Sequence, residues 1–368
     1  MSAASHILAG NLAGRFRRWA LIQPEKPACI EARGPDKNGK ITYRMVSYGD
    51  LERESDALAA GLGSAGFGRG MKTVLLVRPG RTLFAATLAL LKLGATLVLI
   101  DAGMGRRRMI DCLARVEAEG FIGIPRAHLA RFLYPRAFDS VRALATAGRR
   151  WGWGGVTLAQ AARNGQARLR GKPCPIAFDD DDKTMAAQAA QAAQAAQAAQ
   201  AAQAKPLSAA ACAKISEYAP LAAILFTTGS TGPAKGVEYT HARLESQLSQ
   251  LESMFSIKSD DRDCATFPGF SLFSLFMGMT VVIPDIDPAR PGFAPPNRVI
   301  RPMTDWRCAF SFASPSLWKN IASWCLQNNQ PLPDSLTRAV MAGAPAPAET
   351  HARLLRPSAP RNLVKYPG

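Results

Sequence analysis

Histidine and paired cysteine are scarce in this sequence. Its 368 residues include only 4 histidines, none at metal-ligand spacing from another, and 7 cysteines that form no Cys-x-x-Cys pair. Zinc sites need such ligands at short spacing, and disulfide frameworks normally use an even, closely spaced set of cysteines. The sequence therefore predicts no metal site of its own. It also predicts reduced thiols, which indicate a cytoplasmic location.

Acidic residues are also few, 28 against 45 basic ones, which gives a net charge of +17. Such a charge favours anionic partners, namely nucleotides, CoA thioesters, nucleic acid or an anionic membrane surface. The arginines are scattered apart from short clusters such as residues 106–108 and 149–150. No helix-turn-helix, zinc-finger or RNA-binding motif accompanies them, so no dedicated nucleic-acid site is predicted.

Long apolar runs are absent as well, and no secretory signal is visible at the N-terminus. Residues 83–100, LFAATLALLKLGATLVLI, come close to the length of a membrane span, but Lys92 and Gly94 interrupt them. We interpret this stretch as a buried helix followed by a buried strand. No transmembrane segment is predicted.

The sequence does contain a regular alternation of short apolar strands and helices. Strands at 73–77 and 96–100 flank a helix at 81–93, and this βαβ unit predicts a parallel sheet covered by helices. Further strands are predicted at 222–226, 280–283, 308–312 and 339–341, and helices near 241–255, 316–326 and 348–355. The predicted fold class is α/β with two αβ halves.

An unusual insert separates these halves. An acidic run at 179–182 precedes six Ala-Ala-Gln repeats at 186–203. A period of three leaves no continuous apolar stripe on a helix, so we interpret the insert as a tolerated linker. The predicted domains are residues 1–178, a linker at 179–205, and residues 206–368.

Residues 224–237, ILFTTGSTGPAKGV, place glycines, hydroxyls and a lysine directly behind an apolar strand. Glycines let backbone N–H groups approach phosphate oxygens, hydroxyls add donors, and the lysine adds a point charge. A Walker loop has glycine before its lysine and Ser or Thr after it, whereas Lys235 is flanked by Ala234 and Gly236. A phosphate cradle of another type is predicted, formed by Thr227, Thr228, Gly229, Ser230, Thr231, Gly232, Lys235 and Gly236.

The stretch FTTGSTGPAKG resembles the phosphate-loop signature of the adenylate-forming superfamily, which includes acyl-CoA ligases, luciferases and peptide-synthetase adenylation domains. Residues 41–62, 90–103, 237–243, 312–318 and 341–347 are similar to its other motifs, so the likeness covers nearly the whole chain apart from the repeats. It implies two flavodoxin-like αβ subdomains with largely parallel sheets, as in the large N-terminal domain of these enzymes. Within the superfamily, FIGIPRAHLAR, GRRWGWGG and TFPGFSLFSLFMGMTVVIPDIDPARP are most similar to the β-lactone synthetases of bacterial long-chain olefin biosynthesis.

The resemblance implies that ATP, with Mg²⁺, adenylates a 2-alkyl-3-hydroxy fatty acid, whose hydroxyl then displaces AMP and closes a β-lactone. Implied partners are the fatty acid, ATP and other proteins of the olefin pathway. Three alternatives stay open: a long-chain acyl-CoA or acyl-AMP ligase, a non-catalytic remnant that binds a nucleotide or a protein, and a basic nucleic-acid binder.

The resemblance also implies roles for single residues. Lys235, Thr227 and His241 would be catalytic, and the loop would wrap the β- and γ-phosphates of ATP. The adenine would lie beside Gly343, Ala344 and Pro345, and the acyl chain beside His241, Phe267, Phe270 and Ser314. His241 fits a helix-cap or core histidine equally well, and Phe270 fits a core position.

The chain ends at NLVKYPG, where the family has a Tyr-Gly-x-Thr-Glu motif whose threonine and glutamate serve the phosphate and magnesium. By the resemblance, this glutamate, a ribose-binding aspartate, the barrel subdomain and the small C-terminal domain lie outside this chain. We therefore expect a truncated family member, or the first part of a split one that has a complementary C-terminal chain as partner.

Overall fold

The computed structural model describes residues 11–38, 40–100, 102–175, 220–227, 235–342 and 362–365. The chain forms two compact units. The first unit comprises Met1–Arg18, Glu52–Val77 and Ala85–Ser249, and the second comprises Trp19–Leu51, Arg78–Phe84 and Gln250–Gly368.

The described elements alternate between helix and strand, with short 3₁₀ turns at Ala102–Met104, Pro135–Phe138 and Pro291–Phe293. In chain order they are α1 (Leu12–Ile22), β1 (Pro27–Pro35), β2 (Ile41–Ser47), α2 (Tyr48–Ser64), β3 (Lys72–Leu76), α3 (Arg81–Lys92), β4 (Thr96–Ile100), α4 (Arg106–Val116), β5 (Gly120–Gly123), α5 (Pro125–Leu133), β6 (Ala143–Thr146), β7 (Val156–Thr157), α6 (Leu158–Leu169), β8 (Leu221–Thr227), β9 (Lys235–Thr240), α7 (His241–Phe255), β10 (Arg262–Cys264), α8 (Pro268–Phe276), β11 (Thr280–Ile283), α9 (Pro296–Asp305), β12 (Phe310–Ala313), α10 (Pro315–Gln327), β13 (Arg338–Met341) and β14 (Asn362–Lys365).

The first unit contains a seven-stranded sheet in the order β7-β6-β5-β3-β4-β8-β9. Every neighbouring pair is parallel except the antiparallel β8–β9 pair at one edge. Its strands are short and apolar, and Val74, Val98, Phe121 and Ile224 pack into one core with residues of α4. The predicted β3–α3–β4 unit is confirmed, and Gly94 takes a positive φ of 69° just after α3, as a helix-ending glycine does.

The second unit contains a seven-stranded sheet in the order β14-β13-β12-β10-β11-β1-β2. Here too the pairs are parallel except one, the antiparallel β1–β2 pair at an edge. Trp318 of α10 is fully buried in the core of this unit, and its indole N–H donates to the Val340 carbonyl at 3.2 Å.

The α/β fold class with two largely parallel sheets is confirmed, but the strands divide differently along the chain from the predicted boundaries. β8 and β9, expected in the second half, pair in the first sheet, and β1 and β2 pair in the second sheet. Crossover connections decide which strands become neighbours in a parallel sheet, and here they place strands that are distant in sequence, such as β4 and β8, side by side. The predicted linker at 179–205 and the predicted helix at 348–355 lie outside the described residues.

Lys92, which interrupts the long apolar run, is buried in an ion cluster of the first unit. Its ammonium lies 2.7 Å from a carboxylate oxygen of Asp56 and 2.9 Å from one of Glu52, and it donates to Ser55 Oγ at 2.7 Å. Arg17 also binds both carboxylates, at 2.9 Å and 2.6 Å. The run is a buried helix and strand, as predicted. In the described part of the chain, no helix is both long and apolar enough to cross a membrane.

Candidate functional site

The predicted phosphate loop joins β8 to β9. Thr227, the last residue of β8, pairs with Lys235, the first residue of β9, and Phe226 pairs with Gly236. Because β8 runs parallel to β4, the loop starts at the carboxyl edge of the first sheet, where open α/β sheets bind their ligands. The hairpin therefore brings two of the predicted site residues, Thr227 and Lys235, together at the base of the loop.

Lys235 and Gly236 show why these residue types occupy the start of β9. The Lys235 side chain is exposed, and within the described part of the chain no carboxylate pairs with it. A Cβ on Gly236 would lie 2.9 Å from the Phe226 ring and 3.0 Å from Ile224, so only glycine fits without displacing these side chains. In this hairpin, Gly236 lets β9 lie close to the side chains of β8, and the exposed Lys235 ammonium is available to an anionic ligand.

The remaining phosphate-loop residues, Thr228 to Gly232, lie outside the described residues, as do Gly343, Ala344 and Pro345. The latter three follow β13 in the sequence, and β13 is the parallel neighbour of β12. Their predicted roles beside phosphate and adenine stay predictions.

His241 is the first residue of α7 and is almost fully buried in the first unit. Its Nδ1 accepts a hydrogen bond from the Leu12 backbone N–H at 3.2 Å, which satisfies a donor at the start of α1. Burial lowers its pKa to about 4, so the imidazole is neutral at pH 7. These contacts agree with the helix-cap alternative, and the substrate role of His241 stays a prediction.

The other predicted substrate residues lie in the second unit, after two neighbouring parallel strands. Phe267 and Phe270 follow β10, Ser314 follows β12, and the Thr266 hydroxyl donates to the Phe312 carbonyl at 2.8 Å between the two segments. The structure therefore brings these three residues to the carboxyl edge of the second sheet.

An aromatic stack dominates this edge. The Phe270 ring lies parallel to the Phe312 ring at 4.3 Å between centroids and to the Phe310 ring at 5.7 Å. Phe270 is buried, as its core alternative requires, whereas Phe267 is 41% exposed at the N-cap of α8. Ser314 caps α10, because its hydroxyl accepts from the Leu317 N–H at 3.3 Å.

Two residues of this edge were not predicted as site residues from the sequence. Phe312 stacks on Phe270, and Thr266 links the two segments. The sequence signal for Phe312 was its place directly before the Ala-Ser-Pro turn at the end of a strand, and nothing in the sequence distinguished Thr266 from a surface threonine.

In the described residues of the two edges, metal ligands do not cluster. No group of three or more His, Cys, Asp or Glu side chains that could hold a metal ion occurs among the described residues. The donors at the first edge, an exposed lysine at the base of a loop rich in glycine and hydroxyls, suit a polyphosphate rather than a bare metal ion.

By sequence, the chain is similar to one protein family and to two curated proteins. A sequence profile described as AMP-binding enzyme matches residues 16–364. Olefin beta-lactone synthetases of Stenotrophomonas maltophilia and Xanthomonas campestris are 38% and 36% identical to the chain, over 94% of its length and 54% of theirs. The chain thus spans about half the length of these curated relatives.

Among solved structures, the anthranilate CoA ligase AuaEII in complex with anthranoyl-AMP matches with a TM-score of 0.68. The match covers 99% of this chain and 60% of that one at 14% identity, which supports a shared fold.

Proposed function

Because the chain belongs to the AMP-binding enzyme family, we propose that it activates a fatty acid as an acyl-adenylate with ATP. The preferred substrate in this proposal is a 2-alkyl-3-hydroxy fatty acid, and the final product is a β-lactone, by similarity to the two β-lactone synthetases. The observation that carries the proposal is the β8–β9 hairpin, in which the Thr227–Lys235 pair closes a loop of glycines and hydroxyls.

In the first step, a carboxylate oxygen of the fatty acid attacks the α-phosphorus of ATP. The bond between that phosphorus and the bridging oxygen breaks, and pyrophosphate leaves with the electron pair. Negative charge builds up on the leaving group, where Lys235 and the N–H groups of the loop would stabilise it. AMP-binding enzymes generally use Mg²⁺ with ATP, and a bound Mg²⁺ would neutralise further phosphate charge.

In the second step, the 3-hydroxyl oxygen attacks the acyl carbonyl carbon of the same molecule. The bond from this carbon to the AMP oxygen breaks, the hydroxyl proton passes to solvent, and a four-membered lactone remains. Holding the hydroxyl next to the carbonyl gives a high effective concentration, so no external acceptor is needed. Phe267, Phe270 and Ser314 are the proposed acyl-side residues of the second unit, and the neutral His241 is the one proposed in the first unit.

The test is ATP–pyrophosphate exchange by the chain in the presence of a 2-alkyl-3-hydroxy fatty acid. We expect Lys235→Ala to lower the exchange rate by about 100-fold, since a donor to the developing charge is lost. Lys40→Ala is the matched control, because Lys40 is an exposed lysine of the β1–β2 hairpin. Exchange by the wild type that Lys235→Ala leaves unchanged would contradict the proposed site.

Product analysis with and without CoA separates the alternatives. A β-lactone formed without CoA supports the proposal, whereas a CoA thioester formed only when CoA is added identifies an acyl-CoA ligase. Calorimetric ATP binding without any exchange would instead identify a protein that binds the nucleotide but does not catalyse.

A further inference from the structure

An apolar stripe on α5 in the first unit faces solvent. Leu129, Phe132 and Leu133 are 42%, 65% and 70% exposed, and their spacing of three and four residues places them on one face of the helix. His128, on another face of α5, is fully buried. The helix therefore has apolar residues on its solvent side, where a surface helix normally has polar ones.

The loop between β6 and β7 presents an exposed tryptophan. Trp151 is 56% exposed, and its ring lies 5.6 Å from that of Trp153. Trp153 is fixed, because it stacks on the His128 ring at 5.0 Å and donates to the Thr146 hydroxyl at 3.0 Å. Gly152 between the two tryptophans has a φ of +93°, which side chains with a Cβ rarely adopt.

The helix and the loop form one surface. Leu129, Phe132 and Trp151 line an open cavity of about 570 Å³, together with Arg131 and Trp153. We call Leu129, Phe132, Leu133 and Trp151 the α5–Trp151 surface. Exposed apolar side chains that form one contiguous patch mark interaction sites, whereas singly scattered ones are ordinary.

The charge around this surface is strongly one-sided. Residues 121–157, from β5 through α5 to the end of the Trp151 loop and β7, contain six arginines but a single acidic residue, Asp139, whereas the whole chain has 45 basic and 28 acidic residues. Arg126, Arg136, Arg149 and Arg150 are exposed on or beside α5 and the loop. Burial lowers the pKa of the Arg131 guanidinium in the cavity wall, so an anion placed next to it would stabilise the charged form.

We propose that the α5–Trp151 surface docks this protein onto an anionic lipid bilayer. The apolar side chains would enter the interfacial layer, and the arginines would lie at the lipid phosphates. Tryptophan, phenylalanine and leucine beside arginine is the combination typical of segments that lie in the membrane interface. A nucleic-acid backbone would leave Leu129, Phe132 and Leu133 without apolar contacts, and a second copy would bring together two surfaces of the same charge.

The test is co-sedimentation of the chain with phosphatidylcholine vesicles, with and without about 30 mol % phosphatidylglycerol, at about 0.1 M NaCl. We expect binding to the anionic vesicles, weaker binding to the neutral ones, and release at about 0.5 M NaCl because salt screens the arginines. Equal binding to both vesicle types, or none, would overturn the proposal.

Two pairs of variants locate the contact. Phe132→Ser with Leu133→Ser, and Arg149→Gln with Arg150→Gln, should each weaken binding to anionic vesicles by about tenfold or more. The controls are Phe293→Ser, which removes another highly exposed phenylalanine, and Arg106→Gln with Arg107→Gln, which removes the same charge from α4. These should change binding by less than about twofold.

Loss of binding in the arginine control equal to that in Arg149→Gln with Arg150→Gln would mean that total charge suffices, and would overturn the assignment to this surface. Sedimentation equilibrium without vesicles tests the second-copy alternative. A dimer that Phe132→Ser with Leu133→Ser converts to a monomer would make this surface a self-interface and would also overturn the proposal. All substituted side chains are exposed, and unchanged unfolding free energies would verify that the variants fold.

Discussion

Both sheets of this protein end in an antiparallel hairpin at one edge, β8–β9 in the first and β1–β2 in the second. The connecting loops differ in chemistry. Asp36 in the β1–β2 loop accepts hydrogen bonds from the N–H groups of Asn38 and Lys40, both at 2.9 Å. The β8–β9 loop, residues 228–234, has glycines and hydroxyls but no carboxylate. A hairpin loop that contains its own carboxylate therefore uses its N–H donors internally, whereas a loop without one leaves its N–H donors for an anion.

Two buried ionisable side chains, Lys92 of the first unit and Asp263 of the second, differ in their partners. Lys92 in the first unit is surrounded by two carboxylates and a hydroxyl. Asp263 on β10 of the second unit is fully buried, and its carboxylate accepts one hydrogen bond, from the Ser274 hydroxyl at 2.7 Å. In the described residues no partner bonds to its other oxygen. Buried Lys92 is thus paired with carboxylates, whereas the buried carboxyl of Asp263 has no cation partner among the described residues and is neutral over part of the pH range.

The largest expected effect is that of removing the buried ammonium of Lys92 from the ion cluster of the first unit. Lys92→Met keeps the length of the side chain but leaves Glu52 and Asp56 with Arg17 as their remaining cation. We expect the free energy of unfolding to fall by about 3 kcal/mol or more, the cost of breaking a buried ion pair from one side. Urea denaturation of the variant beside the wild type measures it.

Lys172→Met is the control for this change, because Lys172 belongs to the same unit but is exposed. It should alter the free energy of unfolding by less than about 0.5 kcal/mol. If both variants unfold like the wild type, the ion cluster around Lys92 contributes no stability and the contrast with Asp263 fails.

The second-largest expected effect is on ATP binding by the β8–β9 loop. Ser230→Asp gives the β8–β9 loop the carboxylate that the β1–β2 loop already has. We expect ATP affinity to fall on the order of 100-fold, because the new charge repels phosphate and competes for the N–H donors. Isothermal titration with ATP measures it, and Ser230→Asn, which lacks the charge, should lose less. An unchanged affinity in Ser230→Asp would remove the proposed reason why the two hairpins differ.

The sequence allowed prediction of those features that depend on neighbouring residues. The β3–α3–β4 unit follows from local apolar spacing, and so does the strand in front of the predicted phosphate loop, which was expected at 222–226 and is observed at Leu221–Thr227. The position of α10 at Pro315–Gln327 also agrees with the helix predicted at 316–326.

Contacts between distant residues could not be predicted in this way. The bond between His241 and Leu12 joins residues 229 positions apart, and the pairing of β4 with β8 crosses more than a hundred residues. Such contacts depend on crossover topology, which no local period encodes. For the same reason, the burial of Asp263, which determines its protonation, has no signal in the neighbouring residues.

A smaller effect is expected from the buried Asp263 of the second unit. Burial raises the pKa of Asp263 from its ordinary value of 3.8 to about 7. The unfolded chain therefore ionises first, and the stability of the folded state falls as the pH rises from about 4 to about 7. Asp263→Asn removes this dependence. From pH 5 to pH 8, the free energy of unfolding of the wild type should therefore fall by about 2 kcal/mol more than that of the variant.

Denaturation at the two pH values measures this difference, and Asp334→Asn is its control, since Asp334 is exposed. A wild type and Asp263→Asn with parallel pH profiles would show that the buried carboxyl is not neutral at pH 5, and that the contrast with Lys92 fails.

The smallest effect lies in the β1–β2 loop. Asp36→Ser replaces a carboxylate that accepts two N–H bonds by a hydroxyl that makes such turns more weakly, so we expect a loss of about 1 kcal/mol in the free energy of unfolding. Asp36→Asn keeps an acceptor oxygen at the same position and should stay within about 0.5 kcal/mol of the wild type. If the asparagine variant is as unstable as the serine variant, then the charge of Asp36 rather than its acceptor closes this loop. In that case the β1–β2 loop would differ from the β8–β9 loop because its carboxylate repels anions, and not because the carboxylate occupies the N–H donors of the turn.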